Sequence, residues 1–327
     1  MTKVDVGGVV MEPQRRRMKV SATLAWVFVA PFAGWALARL IGLDRGPVIV
    51  ELMTATPYVA ALSPLAILVA AAARSRAALA VAVATTVLMA AMILPRAVAS
   101  TPTATGPALR ILTVNLFFGN GDAETVIGLV RQLKPDILNT QELDPDEVKA
   151  LDTAGIATLL PYRDVENGFG PSGSGIFSRF PLTPLPDFAP EGGHHMPAAR
   201  FAVPGGQVVE LVDVHTLAPL GRDVAAWTAD LKSLPAPSPG VVRILAGDFN
   251  ASLDHVALRD VLALGYTDAA DATGNGLLAT WPANKRLPPF ITIDHVLFDG
   301  RASAVSTSIH AVPGTDHRAL FAELRLP

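Results

Sequence analysis

The residues best suited to chemistry in this sequence are carboxylates, amides and imidazoles near the ends of predicted strands. Asn115 lies near the end of ILTVNL, Glu142 ends DILNTQE and His215 ends VELVDVH. Further polar residues follow VRILA, lie inside ITIDHVLF or precede the last strand: Asp248, Asn250, Asp294, Asp316 and His317. Because open α/β sheets build their sites at strand ends and in the loops that follow, we expect these side chains to meet in one place.

Carboxylates that converge on one place repel each other and are costly to desolvate unless a cation or a proton neutralises them. Hard oxygen ligands such as Glu142 and Asp316 suit Mg²⁺ or Mn²⁺. The chain has no cysteine and no His-x-x-x-His spacing, which argues against structural zinc. Imidazole, carboxylate and Asn together favour metal-assisted phosphoester hydrolysis, in which an aspartate activates water.

Each of these pieces alone also has an ordinary structural explanation. Gly, Asp and Asn favour turns for conformational reasons, so Asp248-Phe249-Asn250 is typical of a turn. A surface position, the start of a helix and a loop would account for Asp294, Glu142-Leu143-Asp144 and Asp316-His317. His194 and His195 lie in a Gly-rich loop that predicts solvent exposure rather than substrate contact. The ordered occurrence of the whole set, rather than any one member, favours an enzyme.

Hydrophobic periodicity predicts the elements that must position these residues. After the strand ILTVNL, apolar residues at i, i+3, i+4 and i+7 predict a helix with Asp122 as N-cap, and Asp144-Pro145 opens another. DILNTQE predicts the strand between them. Later helices are expected around Val224 to Leu234 and Val256 to Leu264. Further strands are expected at Gly175 to Ser178, Val208 to Val214, Val242 to Ala246, Thr292 to Phe298 and Ala319 to Leu324. The domain is therefore expected to be α/β, and Thr280-Trp281 to be a packing element.

The composition separates the first third of the chain from the rest. Half of the 327 residues are hydrophobic and 17% are charged, against about 25% charged in soluble domains. The excess lies between Ser21 and Leu94, where three membrane spans are predicted: Leu24 to Leu43, Met53 to Ala73 and Ala77 to Leu94. A bilayer core of roughly 30 Å needs about 20 helical residues, so the third span is slightly short. Buried helices of a large soluble core are the alternative.

Arginine and lysine placement predicts the orientation. Arg15, Arg16, Arg17 and Lys19 precede the first span, and Arg74 and Arg76 lie between the second and third, so both places are expected in the cytoplasm. The predicted organisation is a cytoplasmic tail (1–20), a transmembrane region (21–95), a linker rich in Ala, Thr and Pro (96–107) and an outward-facing catalytic domain (108–327). Late cleavage at Ala97-Val98-Ala99 is an alternative left open.

The motifs resemble those of the endonuclease/exonuclease/phosphatase superfamily, which has the DNase-I-like fold. They occur in that superfamily's order: LTVNL, QE, GSGIFSR, VDVH, GDFN, TW, IDHVLF and TDH. The resemblance covers about Ala108 to Pro327 and implies a four-layer α/β sandwich. With its three predicted spans, the chain also resembles the membrane-anchored bacterial branch that includes a teicoplanin-resistance protein, which implies a polyprenyl-pyrophosphate-linked cell-wall substrate.

The resemblance also implies a role for each site residue. Glu142 would bind Mg²⁺ or Mn²⁺, with Asn115 and Asp316 close to the ion. Asp248 would orient or deprotonate the attacking water and Asn250 would hold a phosphate oxygen. His317, oriented by Asp294, would contact the scissile phosphate, and His215 would stabilise the phosphate or assist the leaving oxygen. The superfamily often has Asn-x-His where this chain has Asp213-Val214-His215, which makes the role of that strand end less secure.

Three functions are compatible with these residues. The first is a membrane-anchored metal-dependent phosphoesterase that acts on a phosphorylated lipid or envelope substrate outside the cytoplasm. The second is a membrane-anchored extracellular nuclease, which is disfavoured because nucleic-acid binding relies on basic contacts whereas the net charge is −3 and lysine is rare after Ala108. The third is a non-catalytic binding module with the same fold.

Overall fold

The computed structural model describes residues 12–186, 188 and 193–327. Its internal contacts divide the chain into two units. The helical unit consists of the residues up to Gly42 together with Ala55–Ile93, and the sandwich unit consists of Leu43–Thr54 together with Leu94–Pro327. The first five helices are α1 (Glu12–Ile41), α2 (Pro47–Met53), α3 (Thr56–Leu62), α4 (Pro64–Ala72) and α5 (Arg76–Ile93). Of these, α2 belongs to the sandwich unit.

In the helical unit, α1, α4 and α5 pack through small buried side chains. Ala25, Ala66, Ala70 and Ala78 are buried in one cluster with Val29. Small side chains allow helix backbones to approach closely, which is how helices associate in an apolar solvent. Of the predicted cytoplasmic tail, residues 1–11 lie outside the described residues, and the backbone of residues 12–20 belongs to α1.

Within the described residues, two helical segments are long and apolar enough to cross a membrane, Ala22–Ile41 and Arg76–Ala97. A third crossing exists only if the bent pair Pro47–Met53 and Thr56–Ala72 is counted as one span. The expected continuous second span, Met53 to Ala73, was therefore wrong as a single helix. Pro57 and Pro64 lie in the first turns of α3 and α4, and because proline lacks an N–H group the helix restarts at each of them.

The sandwich unit is built from strands that form two six-stranded sheets in the part of the chain that the structure describes. The strands are β1 (Ala108–Asn115), β2 (Ile137–Gln141), β3 (Tyr162–Glu166), β4 (Ser174–Ser178), β5 (Thr183–Leu185), β6 (Ala198–Ala202), β7 (Val208–His215), β8 (Val242–Asp248), β9 (Tyr266–Asp268), β10 (Asp294–Asp299), β11 (Ser303–Ala311) and β12 (Arg318–Arg325). The helices are α6 (Ala123–Leu133), α7 (Pro145–Ala154), α8 (Ile156–Leu159), α9 (Val224–Ser233), α10 (Val256–Ala263) and α11 (Ala269–Ala272).

The strand order is β11-β12-β1-β2-β4-β3 in the first sheet and β5-β6-β7-β8-β10-β9 in the second. Each sheet has one central parallel pair, β1 with β2 and β7 with β8, whereas the other pairs are antiparallel. In each parallel pair the two carboxyl ends lie at the same sheet edge. The turns that bear the polar motifs therefore begin side by side.

The core follows the two-residue period of the strands. Ile111 on β1 packs with Leu211 and Ile244 of the second sheet in the central cluster, whereas its neighbour Leu112 faces the cluster formed with α6 and α7. A third cluster places α9 and α10 against the second sheet. The result is a mixed α/β sandwich with helices on both outer faces, which confirms the α/β sandwich part of the predicted fold class.

Both predicted helix caps are present. The Asp122 carboxylate accepts a hydrogen bond from the Thr125 N–H at 2.9 Å. The Asp144 carboxylate accepts bonds from the Asp146 and Glu147 N–H groups at 2.9 and 2.7 Å. Because each cap satisfies N–H groups that the first helical turn leaves free, it fixes where α6 and α7 begin. Both helices therefore begin just beyond the strand ends that carry Asn115 and Glu142.

The segment predicted as a linker, residues 96–107, lies along the sandwich unit rather than apart from it. The Arg96 guanidinium pairs with both oxygens of Asp254 at 2.9 and 2.7 Å, and both side chains are buried. Farther along, the Ser100 N–H donates to the Ala272 carbonyl at 2.8 Å and the Gly106 N–H donates to the Leu326 carbonyl at 2.9 Å. These contacts use backbone groups and one long-range ion pair, neither of which leaves an apolar periodicity in the sequence.

Candidate active site

The strand registers place the predicted site residues at one end of the sandwich. His215 pairs with Asp248 in the parallel ladder of β7 and β8, and Asp294 pairs with the same Asp248 across β10. In the first sheet, Asn115 pairs with Gln141, the residue before Glu142. The bonds of Asn115 join the two groups, because its side-chain amide donates to Glu142 Oε1 and to Asp248 Oδ2, both at 3.0 Å.

The backbone is strained where it carries the site. Six described non-glycine residues have a positive φ, and four of them belong to this region: Phe117 (49°), Phe118 (56°), Glu142 (54°) and Asn250 (47°). This conformation costs energy in residues with a Cβ and tends to occur at functional sites. Here it is over-determined, since the Phe117 N–H donates to Asn115 Oδ1 and the Phe118 N–H donates to Glu142 Oε2, both at 2.9 Å.

Gly247, in the GDFN motif, permits a close approach between β8 and β7. Its φ is 151°, and a Cβ at this position would lie 2.0 Å from the carbonyl oxygen of Val214. A side chain would therefore push apart the two strands whose ends carry His215 and Asp248.

His317 lies among three carboxylates. Its Nδ1 hydrogen-bonds Asp294 at 3.0 Å, and its Nε2 lies 3.7 Å from Asp248 Oδ2 and 3.8 Å from Asp316 Oδ1. Burial alone lowers the pKa of His317, but the charges of Asp294, Asp248 and Asp316 outweigh burial and raise this pKa to about 10. The ring is therefore an imidazolium at neutral pH, and its Nε2–H points into the site.

Asp248 and Asn250 lie opposite that imidazolium. Burial raises the pKa of Asp248 to about 7, with a contribution from Asp294, while His317 and the Asn115 amide act in the other direction. The Asn250 N–H donates to Asp248 Oδ1 at 2.8 Å, and the Asn250 side-chain amide donates to the Thr216 carbonyl at 3.0 Å. Asp248 is therefore poised between its two protonation states near neutral pH, as a general base requires.

Trp281 orients Asp316. The indole N–H donates to Asp316 Oδ2 at 3.0 Å. The other oxygen, Oδ1, is buried and has no hydrogen-bond partner among the described residues. A buried carboxylate oxygen without a donor is costly, so the chemistry of Asp316 Oδ1 suits contact with a cation. The predicted packing role of Thr280-Trp281 therefore includes this orienting contact.

His215 has a partner that the sequence did not predict. Its ring stacks on His194, with ring centroids 4.3 Å apart and an interplanar angle of 30°, and its Nε2 lies 3.9 Å from Glu142 Oε1. Burial lowers the pKa of both His194 and His215, so both rings are neutral at physiological pH. The expectation that His194 is solvent-exposed in its loop was wrong, because the loop before β6 turns it onto the end of β7.

Asp213 takes a structural position under the site. Its carboxylate accepts hydrogen bonds from the Gln141 side-chain amide and, at 3.1 Å, from the Gly175 N–H. The side chain thus joins β7 to two strands of the first sheet. Asp at this position ties the sheets together below His215, which itself occupies the expected strand end.

The donor set fits a hard divalent cation. Asp248, Asp294 and His317 form the only group of three ligand-type side chains that converge within 4.8 Å in the described part of the chain. Next to it lie Glu142 and Asp316, whose Oδ1 accepts no hydrogen bond from the described residues. Burial raises the pKa of Glu142, and Asp316 adds to this, while Asn115 and the Phe118 N–H oppose it. This crowding of oxygen donors is typical of sites that Mg²⁺ or Mn²⁺ neutralises.

The convergent group differs from the predicted ligand set of Glu142, Asp316 and Asn115. Asp294 already hydrogen-bonds His317 Nδ1, which suits an orienting carboxylate better than a ligand. The Asn115 amide nitrogen is directed at Glu142 and Asp248, so only its oxygen could face a cation, and that oxygen accepts from the Phe117 N–H. Glu142 and Asp316, the predicted carboxylate ligands, therefore lie beside the convergent group rather than within it.

Comparison with known proteins identifies the family. The Endonuclease/Exonuclease/phosphatase family model matches residues 112–317, more than half of the chain, and the protein belongs to this family. No curated protein matches the chain.

Solved structures show the same fold at low identity. Humanized D. rerio TDP2 with 14 mutations is 17% identical with a TM-score of 0.52, covering 66% of this chain and 98% of that chain. Truncated Caenorhabditis elegans TDP2 is 18% identical with a TM-score of 0.52, covering 67% and 97%. A family protein from Bacteroides thetaiotaomicron is 15% identical with a TM-score of 0.51, covering 70% and 100%.

Proposed function

We propose that the protein is a membrane-anchored, divalent-metal-dependent phosphoester hydrolase that acts on a phosphorylated lipid or envelope substrate outside the cytoplasm. The observation that carries this proposal is the His317 imidazolium, oriented by Asp294 at 3.0 Å, with its Nε2 3.7 Å from Asp248 and 3.8 Å from Asp316. One cationic donor, one carboxylate near its pKa and an oxygen-rich cation position are the components that hydrolysis of a phosphoester needs.

Each residue has a role that its contacts support. His317 donates its Nε2 proton to a non-bridging phosphate oxygen, and Asp294 keeps the ring in the orientation that allows this. Asp248 accepts a proton from the attacking water, and Asn250 donates to a phosphate oxygen. His215, neutral and stacked on His194, lies beside Glu142, where it assists the leaving oxygen. Glu142 and Asp316 would hold Mg²⁺ or Mn²⁺, which when bound supplies positive charge to the phosphoryl oxygens.

Charge placement supports a membrane anchor with the catalytic domain outside. Ala22–Ile41 and Arg76–Ala97 are each long and apolar enough to cross a bilayer, and the bent pair Pro47–Met53 and Thr56–Ala72 would add a third crossing. Three crossings with the N-terminus in the cytoplasm, which the positive residues before the first span favour, leave the chain after residue 95 outside.

The charge pattern supports a lipid or envelope substrate over a nucleic acid. Duplex binding depends on several Lys and Arg contacts to phosphates, whereas the net charge of the chain is −3 and only Lys134, Lys149, Lys232 and Lys285 are lysines after Ala108. A tether to the membrane also raises the local concentration of lipid phosphoesters around the site.

A substrate panel tests the proposal. Full-length protein in detergent or nanodiscs, with Mg²⁺ or with EDTA, is incubated with lipid phosphomonoesters, lipid phosphodiesters, polyprenyl pyrophosphate and DNA. We expect release of phosphate or headgroup from one lipid class, loss of this activity with EDTA, and its absence in His317→Ala. Robust DNA cleavage without lipid turnover would overturn the proposal in favour of a nuclease, and no turnover of any phosphoester would favour a binding module.

A further inference from the structure

The loops of the second sheet that border the site end in exposed apolar side chains. Leu220, five residues after His215, is 59% exposed, and in the loop before β10 Leu287 is 69% and Phe290 43% exposed. A lone exposed leucine is ordinary, but a run of large apolar side chains beside a site needs an explanation.

These loops are fixed to the site at their bases. The Thr216 carbonyl, which follows His215, accepts from the Asn250 amide at 3.0 Å. The Phe290 N–H donates to the Trp281 carbonyl at 3.0 Å, and the Trp281 indole donates to Asp316. The end of β7 and the start of β10 lie at the same sheet edge with only β8 between them, which corresponds to about 10 Å. The exposed residues therefore form one side of the mouth of the site.

Helix α2 continues this apolar side. Val50 is buried in the core beside α10, and its carbonyl lies 2.8 Å from His255 Nε2. The opposite side of α2 exposes Val48, Ile49 and Leu52. The helix packs against Gly221–Asp223, the turn that follows Leu220. The apolar margin, defined here as Val48, Ile49, Leu52, Leu220, Leu287 and Phe290, therefore extends from a helix between two candidate spans to the site.

Cationic side chains accompany the apolar margin. Arg45 precedes α2, Arg222 follows Leu220, and Lys285 and Arg286 precede Leu287, and all four residues are exposed. Apolar side chains flanked by Lys and Arg are typical of segments that lie in the headgroup region of a bilayer, where the cations meet anionic headgroups. The same segments hold two exposed carboxylates, Glu51 and Asp223, against these four cations, so their net charge stays positive and favours anionic headgroups.

We propose that the apolar margin lies in the lipid–water interface, so that an amphiphilic phosphoester moves from the leaflet into the site while its acyl or prenyl chain stays in lipid. The inserted surface is independent of the chemistry, but its use for substrate entry rests on the proposed function. The occupant is the bilayer itself. A second copy of the chain or a protein partner is an alternative that the experiment separates.

The chain has no cysteine, so single cysteines can be introduced as unique labelling positions. Leu287→Cys, Phe290→Cys and Leu220→Cys are labelled with an environment-sensitive fluorophore in full-length protein, with one chain per nanodisc. Gln132→Cys, exposed in the last turn of α6, is the control. We expect a blue shift at the three margin positions and quenching by spin-labelled lipid, with neither at residue 132. Emission at the margin like that of the control, or a blue shift without lipid quenching, would overturn the proposal.

Steady-state kinetics provide a second test of the proposal. The double variant Leu287→Ser/Phe290→Ser should lower kcat/KM for a bilayer-embedded lipid phosphoester by about tenfold. It should leave hydrolysis of soluble bis(4-nitrophenyl) phosphate unchanged, as should the control Gln132→Ser. An equal loss on both substrates would show damage to the site and contradict entry from the leaflet. Lipid-quenched labels without turnover of any lipid would refute the proposed function while leaving the inserted surface standing.

Discussion

Two buried Asp–His pairs each include one residue of β10. In only one pair are both ring nitrogens of the histidine hydrogen-bonded. His295 is bonded on both ring nitrogens, to Asp268 at 2.7 Å and to the Ala251 carbonyl at 2.8 Å. His317 is bonded to Asp294 through Nδ1, but its Nε2 stands 3.7 Å or more from the nearest carboxylates. Asp294 and His295 are consecutive residues, so the alternation of the strand directs one to the site and the other to the opposite face.

This difference in hydrogen-bond partners shows how a structural histidine can be told from one that can take part in a reaction. Burial lowers the pKa of each ring and a paired aspartate raises it, in both cases with a net rise, so the pKa alone does not distinguish them. The two rings differ in their remaining hydrogen-bonding capacity. Both ring nitrogens of His295 are already bonded, so it has no donor or acceptor left for another molecule. His317 keeps one N–H group directed at a space lined by carboxylates.

The largest expected effect tests this contrast directly. His317→Ala should lower the kcat of the folded protein by about 10³- to 10⁴-fold, because it removes the proton donor, and it also leaves Asp294 buried without its partner. His295→Ala should instead cost about 3–5 kcal/mol of folding free energy, because it leaves Asp268 buried without its partner. Denaturant unfolding and specific activity of the folded fraction measure the two. Normal specific activity in His317→Ala would show that the open nitrogen does no chemistry.

Glu142→Gln should lower activity by about 10²- to 10³-fold, because it keeps the shape but removes a charge from the cation position. The dependence on Mg²⁺ concentration should shift to higher values. Glu147→Gln is the matched control, since Glu147 is a buried carboxylate outside the site whose pKa burial raises to about 8, with Asp144 and Asp122 adding to this. Equal losses in both variants would contradict a metal role for Glu142.

Asp294→Asn should lower kcat by about 10- to 100-fold, as loss of an orienting partner does. The pKa of His317 should also fall, since Asp294 is the main charge that raises it. The pH profile of kcat/KM reports this as a shift of its alkaline limb to lower pH. A drop in activity with an unmoved alkaline limb would assign Asp294 to packing alone.

The stability of the protein should depend on pH through His317. Because its pKa is raised from 6.5 to about 10 on folding, its contribution is fully present below pH 6.5 and is lost as the pH rises through about 10. The difference in unfolding free energy between wild type and His317→Gln, measured in EDTA, should therefore shrink over this window. A constant difference would mean that the ring is not an imidazolium.

The smallest effect is expected at His194. His194→Ala should lower kcat by less than about tenfold, because it removes a ring that stacks on His215. His194→Phe should recover most of the loss, since it restores the aromatic contact without the ring nitrogens. No recovery in the phenylalanine variant would show that a nitrogen of His194, rather than its stacking, matters.

The sequence could predict that these polar side chains lie together, because the polar motifs interrupt buried strands. Asn115, His215 and Asp248 each end an apolar run, and parallel pairing brings such ends together. Helix caps at Asp122 and Asp144 are equally visible, since their signal is local. His194 carries no such signal, because its position depends on how a loop folds onto the end of a strand that follows it.

Sequence patterns miss strands that lack an alternation of apolar and polar residues, and they miss side-chain contacts between residues that are far apart in the chain. β11 reads SAVSTSIHA and β3 reads YRDVE, and both are partly exposed strands at sheet edges, so an apolar alternation is not required of them. Arg96 pairs with Asp254, 158 residues later. Only the folded domain shows that this arginine is buried.

The contact of Val50 with His255 spans 205 residues, which has a consequence for biosynthesis. During translation, residues 43–54 emerge long before α10 exists, and α3 to α5 must be made in the interval. The sandwich can close over α2 only after α3, α4 and α5 have been synthesised, so completion of the sandwich unit must wait for synthesis of these helices. A fragment that begins at residue 108 would lack both α2 and Arg96, and would remove the ion-pair partner that Arg96 provides for the buried Asp254.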